Sequence, residues 1–309
     1  MELHTETKFS IQKKKKRKGA FFHQFLSNKL LISGSILLTI TFLIGLFAPL
    51  FSPFKILEID PANRLSSPSI THWFGTDNFG RDIFSRTMYG VRMSLLIGFI
   101  VTLFSSLIGL AIGLLSAYNK FSDQILMRIC DGLFAFPSIL LAMALMSALG
   151  PKTINVIIAL VLVFIPSIAR ITRSAALVVK EKVFIEALRA QGANSFRILF
   201  LHIAPNVLSP LIVQVTFVFA VTILTEASLS FLGAGIPAPL PSLGNMLYDG
   251  KLAIFNAWWM TVYPGIFIIL IVLGLNLFGD GLRDQLDPKS KKSKKRKKKY
   301  DRKTTFIKN

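Results

Sequence analysis

The sequence predicts an all-α membrane protein of about six transmembrane helices, and three observations carry that expectation. Hydrophobic residues make up 52% of its 309 positions and the mean hydropathy is +0.56, more than a soluble core of this length requires. Six stretches of roughly 20 residues are apolar enough to cross a bilayer. Lysine and arginine gather in the connections on one side of those stretches.

Taken in order, residues 1–29 form a basic tail containing Lys13-Lys14-Lys15-Lys16-Arg17-Lys18. The apolar segment 30–51 that follows is too long for a signal-peptide core and lacks an Ala-x-Ala cleavage site, so it reads as a retained first span. Residues 52–92, with Pro53, Pro61 and Pro68, form an extracytoplasmic loop. The second span, 93–117, carries Ser105, Gly109 and Gly113 on one face, a pattern that lets two helix backbones approach. Spans at 126–149, 153–172, 206–229 and 261–281 contain Pro137, Pro166, Pro210 and Gly274, which membrane helices tolerate better than exposed soluble ones. The loop 230–260 is rich in Gly and Pro, and Trp258-Trp259 is expected at the lipid interface. A second basic tail occupies 289–309, leaving 93–288 as the core. Of the 36 Lys and Arg, 29 fall on the side of the two tails and 7 on the other, which predicts both termini in the cytoplasm.

The formal charge of +20 invites a nucleic-acid reading, but its density in two tails flanking apolar segments points to anionic lipid and to no specific nucleic acid. One cysteine, Cys130, and four scattered histidines argue against a disulfide framework or a metal site. Gly250-Lys251 has Asn245 and Leu252 where a P-loop needs Gly and Ser or Thr, so ATP is not expected to bind here. Asp77, Arg81, Asp82 and Arg86 lie at intervals that suit a salt-bridged, capped loop better than an acid-base pair. No catalytic residue is expected, and the chain is predicted not to be an enzyme.

One connection on the cytoplasmic side, between Arg170 and Pro205, is too long for a turn and too polar for a span. It contains Glu186-Ala187-Leu188-Arg189-Ala190-Gln191-Gly192 and, further on, His202-Ile203-Ala204-Pro205. Ala187 and Ala190 place small side chains at i, i+3 for close approach to a partner, Gly192 can end the helix, and Glu186 near its start complements the dipole. Ile185, Leu188 and Phe196 are the expected apolar anchors toward that partner.

This spacing resembles the EAA loop of ATP-binding-cassette importer permeases. Glu186, Ala187, Gly192 and Pro205 match in register, whereas Leu188 and Ala204 stand where Ala and Leu are usual. Phe74-Gly75-Thr76-Asp77, Gly80-Arg81-Asp82, Arg92-x-Ser94-Leu95, Glu226-Ala227-x-Leu229-Ser230-Phe231-Leu232-Gly233 and Gly279-Asp280-x-Leu282-Arg283-Asp284 are similar to the C-type permease of dipeptide, oligopeptide and nickel importers. Pro241-Ser242-Leu243-Gly244 departs from that pattern, in which Trp commonly precedes the Gly.

The resemblance implies the type I importer permease fold, with a cytoplasmic coupling helix at about 183–202. It implies Ile185, Glu186, Ala187, Arg189, Ala190, Gly192 and Pro205 as the ATPase-coupling residues. The implied partners are a second homologous permease, two ATPase subunits that bind the ATP, and an extracytoplasmic substrate-binding protein. Di- or oligopeptides are the expected cargo, with nickel or a metal chelate as the alternative, and the bacterial inner membrane is the expected location. Glu226, in the fifth span, is a candidate for the translocation path, although hydrogen bonding that fixes helix packing explains it better.

Overall fold

The computed structural model describes residues 28–286. Most of both basic tails, and the lipid binding expected of them, lies outside the described residues. Nine helices and a few single turns carry the architecture among those residues. Helix α1, Lys29–Leu46, starts at Asn28, whose side chain accepts from the amides of Leu30 and Leu31. Its 18 residues extend about 27 Å, close to the thickness of a bilayer hydrocarbon core.

Helix α2, Ile83–Tyr118, begins ten residues before the expected span and has 36 residues, so it projects beyond any bilayer. Hydropathy missed its first turns because Arg86 and Arg92 lie within them. Their helicity rests on the Asp82 side chain, which accepts from the Ser85 amide at 2.7 Å.

The expected span 126–149 is broken. Helices α3, Lys120–Phe134, and α4, Ser138–Leu149, meet at 93°. Pro137 lacks an amide proton and biases Phe136 away from helical backbone, so the chain breaks there instead of kinking. The polar residues Lys120, Asp123, Arg128 and Asp131 make α3 an amphipathic helix, poorly suited to the hydrocarbon.

Helix α5, Thr153–Lys180, absorbs the first part of the long connection. The short helix α6, Val183–Ala190, is followed by α7, Ser195–Phe231, whose first turns include a π-helical segment at Ile198–Ile203. Helix α8, Leu243–Lys251, lies within the loop after α7, and α9, Trp259–Leu286, closes the fold.

Helix α2 packs most extensively on α5, and α1 on α9, while α7 runs between them against α2, α5 and α9. The α2–α5 seam is where Gly109 and Gly113 matter. A methyl on Gly109 would come within 2.8 Å of Ile168 Cβ, and one on Gly113 within 2.6 Å of the Ala169 carbonyl oxygen. The small-residue pattern thus serves a backbone contact, as expected. Ile97, Val101, Leu160, Phe164, Ile168 and Val218 fill the core around that seam.

Candidate functional site

Helix α6 presents two faces. Ile185 points inward and is fully buried among Leu114 and Ala117 of α2, Ala176 and Val179 of α5, and Ile198, Leu199, Ile203 and Val207 of α7. Leu188 packs partly against the same cluster. Outward face Glu186, Ala187, Arg189 and Ala190, all exposed, flanked by Val183 (78% exposed) and Phe196 (68%). The expectation that Ile185 reaches a partner is therefore corrected, and Leu188, half-buried, turns part of its side chain to the same cluster. A short helix cannot hold itself on a protein without an apolar anchor, and these two residues seat it on its own chain. Val183, Phe184 and Phe196 are the apolar side chains left facing outward. Among the described residues Glu186 and Arg189 form no ion pair with each other.

The helix is shorter than the expected 183–202 because Gly192 stops it. Its φ of +75° is in the left-handed region, the Gly192 amide donates to the Arg189 carbonyl, and the Ala193 amide reaches back to the Leu188 carbonyl at 3.0 Å. These two bonds form a Schellman cap, and nothing crowds Gly192, so the requirement is on backbone conformation alone. Asn194 then caps α7 by accepting from the Phe196 amide. Pro205 is exposed near the start of α7, beyond the π-helical segment.

Polar contacts tie this end together. Lys180, the last residue of α5, donates through Nζ to the carbonyls of Ala117 (2.6 Å) and Tyr118 (3.1 Å), supplying a cation to the unsatisfied end of α2. Arg173 clasps Asp123 of α3 through two hydrogen bonds of 2.5 and 2.6 Å, and Arg170 reaches Asp131 at 2.7 Å. These contacts fasten α5 to α2 and α3 beside α6.

At the opposite end, residues 52–82 and α8 form a cap. Asp77 accepts from the amides of Phe79 and Arg81 and from Arg81 Nε at 2.6 Å, with Arg86 Nε 3.6 Å away. Asp82 joins His72 Nδ1 at 2.9 Å while capping α2. These carboxylates and guanidiniums hold a loop, as their spacing suggested. Asp249 of α8 lies 3.6 Å from Arg81, and burial raises its carboxyl pKa against the opposing pull of Arg86 and Arg81. Trp259 does not anchor in lipid as expected; it is buried and its indole donates to the Thr76 carbonyl at 3.1 Å.

The comparisons with known proteins bear on this arrangement. The family described as "Binding-protein-dependent transport system inner membrane component" matches residues 105–292, and the "N-terminal TM domain of oligopeptide transport permease C" matches 19–68. The dipeptide transport system permease protein DppC of Alkalihalophilus pseudofirmus is 47% identical over 271 residues, covering 87% of this chain and 89% of the relative. The chain belongs to the ABC importer permease family. The permease is also 41% identical over 270 residues to the oligopeptide transport system permease protein OppC of Bacillus subtilis, covering 87% and 88% of the two chains. A chain of the MetNI methionine ABC transporter, solved in inward-facing conformations, shares the fold with a TM-score of 0.54 at 24% identity, over 65% of the permease and 96% of that chain. The expected fold class and family are thus shown.

Glu226 of α7 is buried, with Oε2 accepting from Ser94 Oγ of α2 at 3.2 Å and Oε1 from Ser230 Oγ at 2.8 Å. Ser230 in turn accepts from the Ile236 amide, so the carboxyl sits in a hydroxyl network that fastens α2 and the loop after α7 to α7. The elbow between α3 and α4 borders a concavity of about 390 Å³, walled by Leu133, Phe136, Val163, Phe164, Phe217 and Val221. Phe134 and Phe136 are more than half exposed there. Sequence reasoning passed over this elbow, although Pro137 and the amphipathic pattern before it were the available signal.

Proposed function

We propose that the permease carries di- or oligopeptides inward across a bacterial inner membrane, as one of two similar transmembrane subunits driven by two separate ATPases. The observation that carries this reading is α6, a helix held by Ile185 against three other helices while Glu186, Ala187, Arg189 and Ala190 face outward. An ATPase gripping that face moves α6 as a unit, because Ile185 and the Gly192 cap resist its deformation, and α2, α5 and α7 tilt with it. Gly192 and Pro205 act on the course of the chain beside α6, and the ATP is bound by the partners. The charge asymmetry supports a cytoplasmic position for α6 and both termini, with the cap outside, where a substrate-binding protein delivers cargo. The concave face at the α3–α4 elbow, with Phe134 and Phe136 exposed, suits contact with the second permease across the path. The names of the relatives support peptides over nickel.

The test is uptake of a labelled tripeptide and of nickel in cells with and without the gene, combined with the double variant Glu186→Lys, Gly192→Trp. Tripeptide uptake is expected to depend on the gene and to vanish in the variant while membrane insertion persists. Normal uptake by the variant would refute the coupling role, and gene-dependent uptake of nickel alone would refute the peptide assignment. A cysteine at Glu186 should crosslink to an ATPase subunit from the inner face.

A further inference from the structure

Helices α1 and α2 touch near the end of α1. At the meeting point Gly45 lies against the backbone of Arg92; a methyl on Gly45 would stand 3.3 Å from Arg92 Cα. A groove of about 600 Å³ is lined by Leu38, Phe42, Leu96 and Phe99 of these two helices, by Phe219 and Leu275, and by Arg92. Phe42 and Phe99 are each 59% exposed. Among the described residues the Arg92 guanidinium makes no hydrogen bond or ion pair.

We infer that this groove holds an acyl chain of an anionic phospholipid whose phosphate is bound by Arg92. Depth is the first argument. The end of α1 marks the edge of the hydrocarbon, because its 18 residues match the core thickness, and Gly45 puts Arg92 at that edge, where lipid phosphates lie. Leu38 is seven residues along α1, about 10 Å deeper, so the groove descends from the headgroup level into the acyl region. Chemistry is the second argument. Below Arg92 the walls are apolar, and the one hydroxyl, Thr39, already donates to the Ser35 carbonyl at 2.7 Å. A peptide would find no backbone partners there. An apolar helix of another subunit would bury Arg92 without a counter-charge, at a cost a lipid phosphate removes.

The test uses the full chain, with the subunits that copurify, reconstituted in bilayers containing spin-labelled phosphatidylglycerol or phosphatidylcholine. The wild type should prefer phosphatidylglycerol, Arg92→Gln should lower that preference about fivefold, and Arg92→Lys should keep most of it. Phe42→Trp should be quenched more by dibrominated phosphatidylglycerol than by dibrominated phosphatidylcholine, and Leu96→Trp, which fills the groove, should reduce the association of both labelled lipids. Equal association of the two lipids with the wild type, or a preference untouched by Arg92→Gln, would overturn the inference. So would efficient crosslinking of Phe42→Cys to another subunit, since the groove would then be occupied by protein. None of these readouts depends on the cargo, so the inference can fail while the peptide assignment stands.

Discussion

Replacing Ile185 with Ala tests whether α6 is a seated lever. Eight residues form no stable helix alone, so the seat is the cluster into which Ile185 is fully inserted. Removing its outer methyls from a site closed by Leu114, Ala176, Val179, Ile198 and Val207 leaves a cavity that a junction of three helices cannot readily collapse. The expected loss is about 3 kcal/mol in the local opening of α6, or about 150-fold in amide exchange. Ile185→Val should cost about 1 kcal/mol, near fivefold. Hydrogen exchange of the reconstituted permease, followed by mass spectrometry over residues 183–190, reads both. Uptake should fall in the same order, with ATP hydrolysis by the complex less affected than transport. Glu186→Ala, on the exposed face, should leave exchange within about twofold and still impair uptake. A change below about fivefold for Ile185→Ala, or an equal rise in the remote helix α8, would refute the reasoning.

Three further outcomes follow from the same geometry. Gly192→Ala should destabilise the α6 stop by about 1 kcal/mol, since the site is open but its φ is positive, and Gly192→Asn should cost less; exchange over 190–194 measures the difference. Gly113→Leu should force α2 from α5 and lower the thermal stability of the detergent-solubilised protein by the equivalent of roughly 1–3 kcal/mol, and an unchanged midpoint would contradict the close contact. Glu226→Leu strips Ser94 and Ser230 of their acceptor and should destabilise by about 1–3 kcal/mol, yet the ratio of cationic to neutral tripeptide uptake should stay constant in the protein that remains. A selective loss of cationic peptide would instead put Glu226 on the translocation path.

Legibility varied with the range of the interactions involved. Apolar stretches longer than about 20 residues announce themselves in sequence, because the membrane removes every solution except internal hydrogen bonding. Gly109 and Gly113 were readable as a close contact, but nothing in their spacing named α5 as the neighbour. The α3–α4 break went unread because the apolar content of 126–149 is sufficient for a span; the break lies in Pro137, and the salt bridges that hold α3 come from Arg170 and Arg173, 39 and 50 positions from their partners. Trp259 was misread for a similar reason, its partner being the Thr76 carbonyl on a distant loop.

What the sequence determined by itself is the solvent and the class. Hydropathy selects a bilayer, the distribution of lysine and arginine predicts an orientation, and the segment around Glu186 carries the family resemblance. Tertiary structure decided which side of each helix is used. In α6 every residue lies near the same motif, and only packing shows that Ile185 and Leu188 hold the chain while Glu186 and Arg189 stay exposed. The physical reason is that helix periodicity defines relative angles between side chains but not the absolute rotation of the helix, which is set by the neighbours that bury one of its faces.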